Sequence, residues 1–314
     1  MPQNGQKLFS TVDDQVALLR DIKGIQISNE VYAKDILSRI GYFPLMGGYK
    51  HLFRIPLTKN YKPGTSFEEI VALYEFDADL RELVFRYLLQ IERHARSLIS
   101  YYFTEIHGEL QSEYLDPNNY NNIRRNGRSL SKLIRTLQYA IGTSDYAYIN
   151  YYRNRYGNIP LWVLVNTLTF GNISKMFKLS QQTIQSKICR DFGTVNPHQM
   201  EQMLSVLTKF RNVCAHGERL FTFRTVDTLT NMPLHAKLGI PINGTQYVYG
   251  KNDLFAVVIS LRYLLPRKDF AIFKRKLSLL IKKANRSIDH ISEAELLKHM
   301  GFPQNWKDIS KYRI

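Results

Sequence analysis

Cysteine and tryptophan are scarce: two of each stand among 314 residues. Cys189 and Cys214 are too few for a disulfide framework, and neither has the spacing of a zinc site. Long apolar runs are also missing. A segment such as Phe255–Leu261 is interrupted by Ser260 and falls well short of the roughly 20 residues that a bilayer demands. The opening MPQNGQKLFSTVDDQ has no apolar stretch of the leader type, so neither a leader nor a membrane span is expected. Acidic residues are outnumbered, 27 against 43 Lys and Arg, which leaves a formal charge of +16. Nothing resembles a serine triad, and no carboxylate–histidine cluster asks for a metal. Gly47-Gly48-Tyr49-Lys50 lacks the Gly-x-x-x-x-Gly-Lys-Ser/Thr frame of a phosphate loop. No cofactor is expected. What is present, 44% apolar and 22% charged residues, suits a soluble, cytoplasmic, globular protein whose surplus charge attracts polyanions.

Helical periodicity dominates the chain. Ser66-Phe67-Glu68-Glu69 is a capping box. The stripe after it (Leu73, Phe76, Leu80, Leu83, Val84, Tyr87, Leu88, Ile91, Ala95, Leu98) advances in steps of three and four, predicting one long helix over 66–105. Upstream, a short helix is expected around 12–23 and another from a Ser28 cap to Gly41. Residues 124–135 read as a basic loop entering a helix at Ser129, and a further helix runs from Ser144 to Gly157. Pro160 fits a first helical turn, with Gly171-Asn172 as a break before the next helix. Asn196-Pro197 pairs an N-cap with proline at N1. Gly and Pro punctuate 224–250, where Tyr247–Tyr249 could form a strand. Helices resume at 252–264, 267–286 and 292–300. The expectation is an all-α helical bundle with little strand. Residues 1–224 form its main domain, with the helices of 12–41 packed on it. Residues 225–314 add an irregular segment and C-terminal helices on the same body.

The helix opened by Asn196 places Met200, Leu204, Leu207 and Cys214 on one face, and at 100° per residue Arg211 falls among them. A guanidinium in an apolar stripe must meet a carboxylate or line a polar cleft. His216 lies about 140° further round an ideal helix, unless Gly217 ends the helix first and lets the imidazole swing back. Arg211-Asn212-x-x-x-His216 offers what metal-free RNA cleavage needs. An imidazole can move a proton, a guanidinium can hold a phosphate, and an amide can orient either.

Four ordered blocks resemble one family. Arg211-Asn212-Val213-Cys214-Ala215-His216 with Glu218-Arg219-Leu220 is similar to the signature of the Abi-like proteins of bacterial abortive infection, AbiD/AbiF type. So are Gly41-Tyr42-Phe43 with Gly48-Tyr49, Tyr74–Arg81 with Ile91-Glu92-Arg93, and Pro160–Val163 with Leu168–Lys175. The likeness spans 12–224. It implies a HEPN-type helical domain in which Arg211, Asn212 and His216 form a metal-independent ribonuclease motif. It also implies phage defence or toxin-type activity, an RNA substrate, and in some relatives a regulatory small RNA. One motif per chain then implies a homodimer with a composite site.

Plainer readings stand beside these. Arg211 could be a structural ion pair with Asp77 or Glu92, both also candidates for orienting carboxylates, and His216 a helix cap. Asp77/Arg81 and Glu92/Arg96 are equally ordinary i,i+4 pairs. Trp162 is expected in the core. Two basic faces are candidate RNA contacts: Arg124, Arg125, Arg128 and Lys132, with Arg135, Tyr120 and Tyr139 nearby, and Lys268, Arg275, Lys282 and Arg286 opposite an apolar stripe. The rival to an endoribonuclease is a non-catalytic RNA-binding or protein-interaction module of a defence or toxin–antitoxin system.

Overall fold

In the computed structural model, which describes residues 9–313, the chain is all-α apart from one minimal hairpin. The part of the leader expectation resting on residues 1–8 lies outside the described residues. Along the chain run α1 (Val12–Ala17), α2 (Glu30–Ile40), α3 (Phe67–His107), α4 (Gln111–Leu115), α5 (Gly127–Thr143), α6 (Ala147–Tyr156) and α7 (Leu161–Leu164). There follow α8 (Phe170–Leu179), α9 (Gln182–Phe192), α10 (Pro197–Ala215), α11 (Pro233–Lys237), α12 (Leu254–Leu264), α13 (Arg267–Ser287) and α14 (Glu293–Met300). Between α11 and α12, β1 (Ile242–Asn243) and β2 (Gln246–Tyr247) pair antiparallel, Ile242 opposite Tyr247. Of the anticipated strand 247–249 only Tyr247 takes part, although the Val248 N–H still reaches the Pro241 carbonyl at 3.0 Å, and the turn passes through Gly244 at φ 61°. No helix of the described residues is long and apolar enough to cross a membrane.

The chain divides into two compact units. One takes the chain up to Glu82 together with Arg275–His299, the other Leu83–Lys274 with the segment from Met300 onward. The C-terminal segment is shared by both units.

In the first unit, local chemistry sets the helix ends. Thr11 and Asp14 form a capping box on α1. The cap of α2 is Asn29, whose side chain accepts from the Tyr32 N–H at 3.0 Å, rather than the expected Ser28. Ser28 turns instead to the Glu68 carboxylate. Ser66 and Glu69 close the capping box of α3, a feature worth about 1 kcal/mol. Glu69 does more than cap. It also accepts the backbone N–H of Asp289 at 2.7 Å and of His290 at 3.0 Å, and it meets the His290 ring at 2.8 Å. Burial pushes this carboxyl up, but the His290 ring and the His290 and Ser66 amides outweigh that and hold it below its ordinary value. The same hydrogen bond raises His290.

The second unit is organised around α12, buried along its whole length. Helix α10 lies against α12, α8 and α9, presenting Met200, Met203, Leu204, Leu207 and Phe210 to the core. Asp253 caps α12 by accepting the Ala256 N–H at 3.0 Å. Burial pushes its carboxyl up to about 6. Gly301 passes so close that a Cβ there would sit 2.2 Å from the Asp253 carboxylate. Two expectations change in this unit. Gly171-Asn172 lie in the first turn of α8 instead of breaking it, because Thr169 caps that helix by accepting the Asn172 N–H. Trp162 is 45% exposed, since the one-turn helix α7 sends Leu161, Val163 and Leu164 inward and leaves the indole outside.

Candidate functional site

Two glycine and asparagine signals fix α10. At its start Asn196 accepts the Gln199 N–H at 2.9 Å and Gln199 accepts the Asn196 N–H at 3.0 Å, with Pro197 at N1. At its end the Gly217 N–H reaches the Cys214 carbonyl and the Glu218 N–H the Val213 carbonyl. This is a Schellman stop, with Gly217 in the left-handed conformation at φ 67°. His216 is the C-cap, its amide bonded to the Asn212 carbonyl at 3.0 Å, and its side chain is exposed. Asn212 is exposed as well.

One turn before the stop, Arg211 points to α3. Its Nε donates to Glu92 Oε2 at 3.2 Å, and its guanidinium carbon stands 5.8 Å from the centre of the Phe85 ring. Glu92 is 1% exposed, a depth at which an unpaired carboxylate would be very costly. It is compensated twice, because Arg96, one turn on along α3, donates to Glu92 Oε1. Arg96 also donates to the Leu168 carbonyl at 2.7 Å, tying the chain ahead of α8 to the cluster. Two guanidiniums therefore share one carboxylate, and one positive charge is left over. Arg211 remains 26% exposed, and its two terminal nitrogens make no hydrogen bond among the described residues. The arrangement is a half-buried, net-positive site with free donors directed outward. Such a site suits an oxyanion with paired acceptors, above all a phosphate.

The structure thus joins Arg211 to Glu92, with Asn212 and His216 on the neighbouring exposed end of the helix. Asp77 lies in the first unit, fully buried, where Tyr49 and Arg81 each bond its Oδ2 at 2.7 Å. Of the basic residues, Arg124, Arg125, Arg128 and Lys132 are exposed in the second unit. Arg125 lines an open cavity of about 760 Å³ together with Lys178, His198 and Glu201. Lys268, Arg275, Lys282 and Arg286 form an exposed face of α13 opposite buried Phe270, Phe273, Leu277 and Ala284. Sequence reasoning passed over Arg96 as a helix pair and missed the Leu168 contact, which no local pattern encodes. It also missed His198 and Lys178, whose only signal is their positions near helix ends. Among the described residues no group of His, Cys, Asp and Glu could hold a metal ion.

These observations define an all-α protein whose helix α10 carries Arg211 one turn before its end and His216 at its C-cap. A family model described as Abi-like protein matches residues 35–222, and the chain belongs to that family, which ties it to abortive infection and phage defence. Comparison with curated proteins finds no match, and comparison with solved structures finds none.

Proposed function

We propose that the chain is a metal-independent endoribonuclease of abortive infection, of the HEPN type. The observation that carries this reading is the half-exposed Arg211 guanidinium, anchored at Nε by buried Glu92 with its terminal nitrogens unengaged. Those nitrogens would grip a phosphodiester and stabilise the charge that grows on it. The 2′-hydroxyl attacks the adjacent phosphorus and His216 takes its proton. The bond from phosphorus to the 5′-oxygen breaks and that oxygen is protonated, leaving a 2′,3′-cyclic phosphate and a 5′-hydroxyl. Asn212 orients one of the two groups. A second copy of the chain would supply the second Arg/His set across a shared groove. The basic residues Arg124, Arg125, Arg128 and Lys132, with Lys268, Arg275, Lys282 and Arg286, would hold the strand by its phosphates. A regulatory small RNA would use the same charge.

The test is cleavage of an RNA ladder by the purified chain in EDTA, with product ends identified by mass spectrometry. His216→Ala and Arg211→Ala are each expected to reduce cleavage by about 100-fold or more. Equal cleavage by the parent and His216→Ala would refute the assignment. The second reading, RNA binding without cleavage, is favoured by the open basic cavity at Arg125 and Lys178. It expects salt-sensitive affinity with intact RNA in every lane.

A further inference from the structure

Helix α6 carries its side chains in a way that core packing does not explain. Of its ten residues only Ile149 is buried, yet Tyr148, Tyr151, Tyr152 and Tyr156 all lie on it and Tyr146 directly precedes it. Tyr146, Tyr151 and Tyr156 are 57%, 53% and 58% exposed, and Tyr148 is 37% exposed. Contiguous exposed rings at this density mark a contact surface rather than the scattered apolar residues of ordinary surface.

The rings are already arranged. Tyr146 and Tyr148 lie nearly parallel, with centroids 5.3 Å apart and planes 15° from each other. Tyr156 packs with Tyr152 at 5.5 Å and with Tyr151 at 5.9 Å, and the Arg155 guanidinium stands 6.0 Å from the Tyr156 ring centre. The helix is held in place from beneath. Arg153 donates through Nε to the Ile141 carbonyl at 3.1 Å, on the last turn of α5, and through Nη1 to Asn150 Oδ1 at 2.6 Å. Charge favours a polyanion: α6 contains two arginines and no carboxylate, and Asp145 is the one acid in the segment 144–158. Burial and Tyr146 push the Tyr148 phenol up, while the charge of Arg96, the residue that shares Glu92 with Arg211, pulls it down.

We infer that the α6 tyrosines are a base-stacking platform for single-stranded RNA, on which the Tyr146–Tyr148 pair receives an unpaired nucleobase. The inference deepens the ribonuclease reading and rests on its premise that this unit handles RNA. Stacking suits the task because every base offers a π-face, so the platform grips a strand without reading its sequence. Phosphates would be left to the arginines.

The experiment uses the full chain carrying His216→Ala, so that the probe stays whole, and measures fluorescence anisotropy with labelled oligoadenylate and with an abasic strand of equal length. Replacing both Tyr148 and Tyr151 by Leu is expected to weaken oligoadenylate binding about tenfold or more. Replacing both by Phe should restore it, and the abasic strand should bind all three proteins alike. The salt slope should not change, since no cation is removed. Equal oligoadenylate affinity for the Leu and Phe proteins overturns the platform. So does a Leu protein that keeps its affinity but loses oligomeric mass by light scattering, which would make the surface a protein contact. Cleavage is scored separately on the chain with His216 intact. Stacking without cleavage leaves the platform and removes the nuclease, and cleavage without stacking does the reverse.

Discussion

Helix α3 carries two acid–arginine pairs at the same spacing, Asp77/Arg81 and Glu92/Arg96, and they have been put to different uses. In the first unit Asp77 is fully buried and Arg81 is 10% exposed, with the Tyr49 hydroxyl adding a donor to the same carboxylate oxygen. Burial and the Asp77 charge lift the Tyr49 phenol well above its ordinary range, so it stays a donor. In the second unit Glu92 is as deep, but Arg96 is 19% exposed, and a second guanidinium arrives from α10. One pair is a closed neutralised contact, and the other leaves a positive charge facing outward. The identical spacing says nothing about which is which. What decides it is the third group delivered by the fold, a phenol in one case and Arg211 in the other.

This contrast can be broken most directly by neutralising each acid. Asp77→Asn is expected to cost about 3–5 kcal/mol of stability, because the buried Arg81 guanidinium loses the carboxylate charge it faces. Glu92→Gln should cost about 1–3 kcal/mol, since both of its guanidiniums can turn to water. Denaturant unfolding of the two variants measures the difference, and equal losses would erase the distinction. Arg211→Lys sharpens the comparison from the other side. Stability should stay within about 0.5 kcal/mol, while RNA cleavage falls about 100-fold, because a point charge cannot replace the planar fork. A lysine variant that cleaves like the parent would deny the fork any role.

The smallest effect expected is on the Glu69–His290 latch of the first unit, where the pairing is partly wet. The raised His290 stabilises the fold below its ordinary value of 6.5 and loses that contribution as pH climbs through its higher folded value. The lowered Glu69 contributes above its ordinary 4.5 and loses it as pH drops through its folded value. The latch is therefore strongest between these limits. Unfolding midpoints recorded across pH should show a shallow fall on either side, of which His290→Ala removes the alkaline one and only reduces the acid one, since the backbone donors to Glu69 remain. An unchanged profile in that variant would place the titration elsewhere.

The parts of this molecule that were legible in the sequence are those written within one helical turn. Ser66 with Glu69, Asn196 with Pro197, and Gly217 announce helix ends because a cap needs only its own neighbours. The α10 periodicity exposed Arg211 as out of place for the same reason. Legibility fails where two adequate residues compete, as Asn29 does with Ser28. It fails again where a short helix has too few residues to show a face, as at Trp162. It is partial for the partner of Arg211, which the sequence narrowed to Asp77 or Glu92 without choosing between them, because the choice is made by packing across 119 residues. The tyrosines of α6 carry no local signal, because their exposure is a property of what does not pack on them.

Gly217 gives the candidate site a thermal weakness of its own. The imidazole of His216 is stationed by a backbone twist in a residue without a side chain, at the kind of helix terminus that opens long before a core does. Warming should therefore unlatch the last turn of α10 and scatter the imidazole while α12 is still tightly packed. Loss of turnover would then come at temperatures where the spectrum of the folded protein has not yet changed.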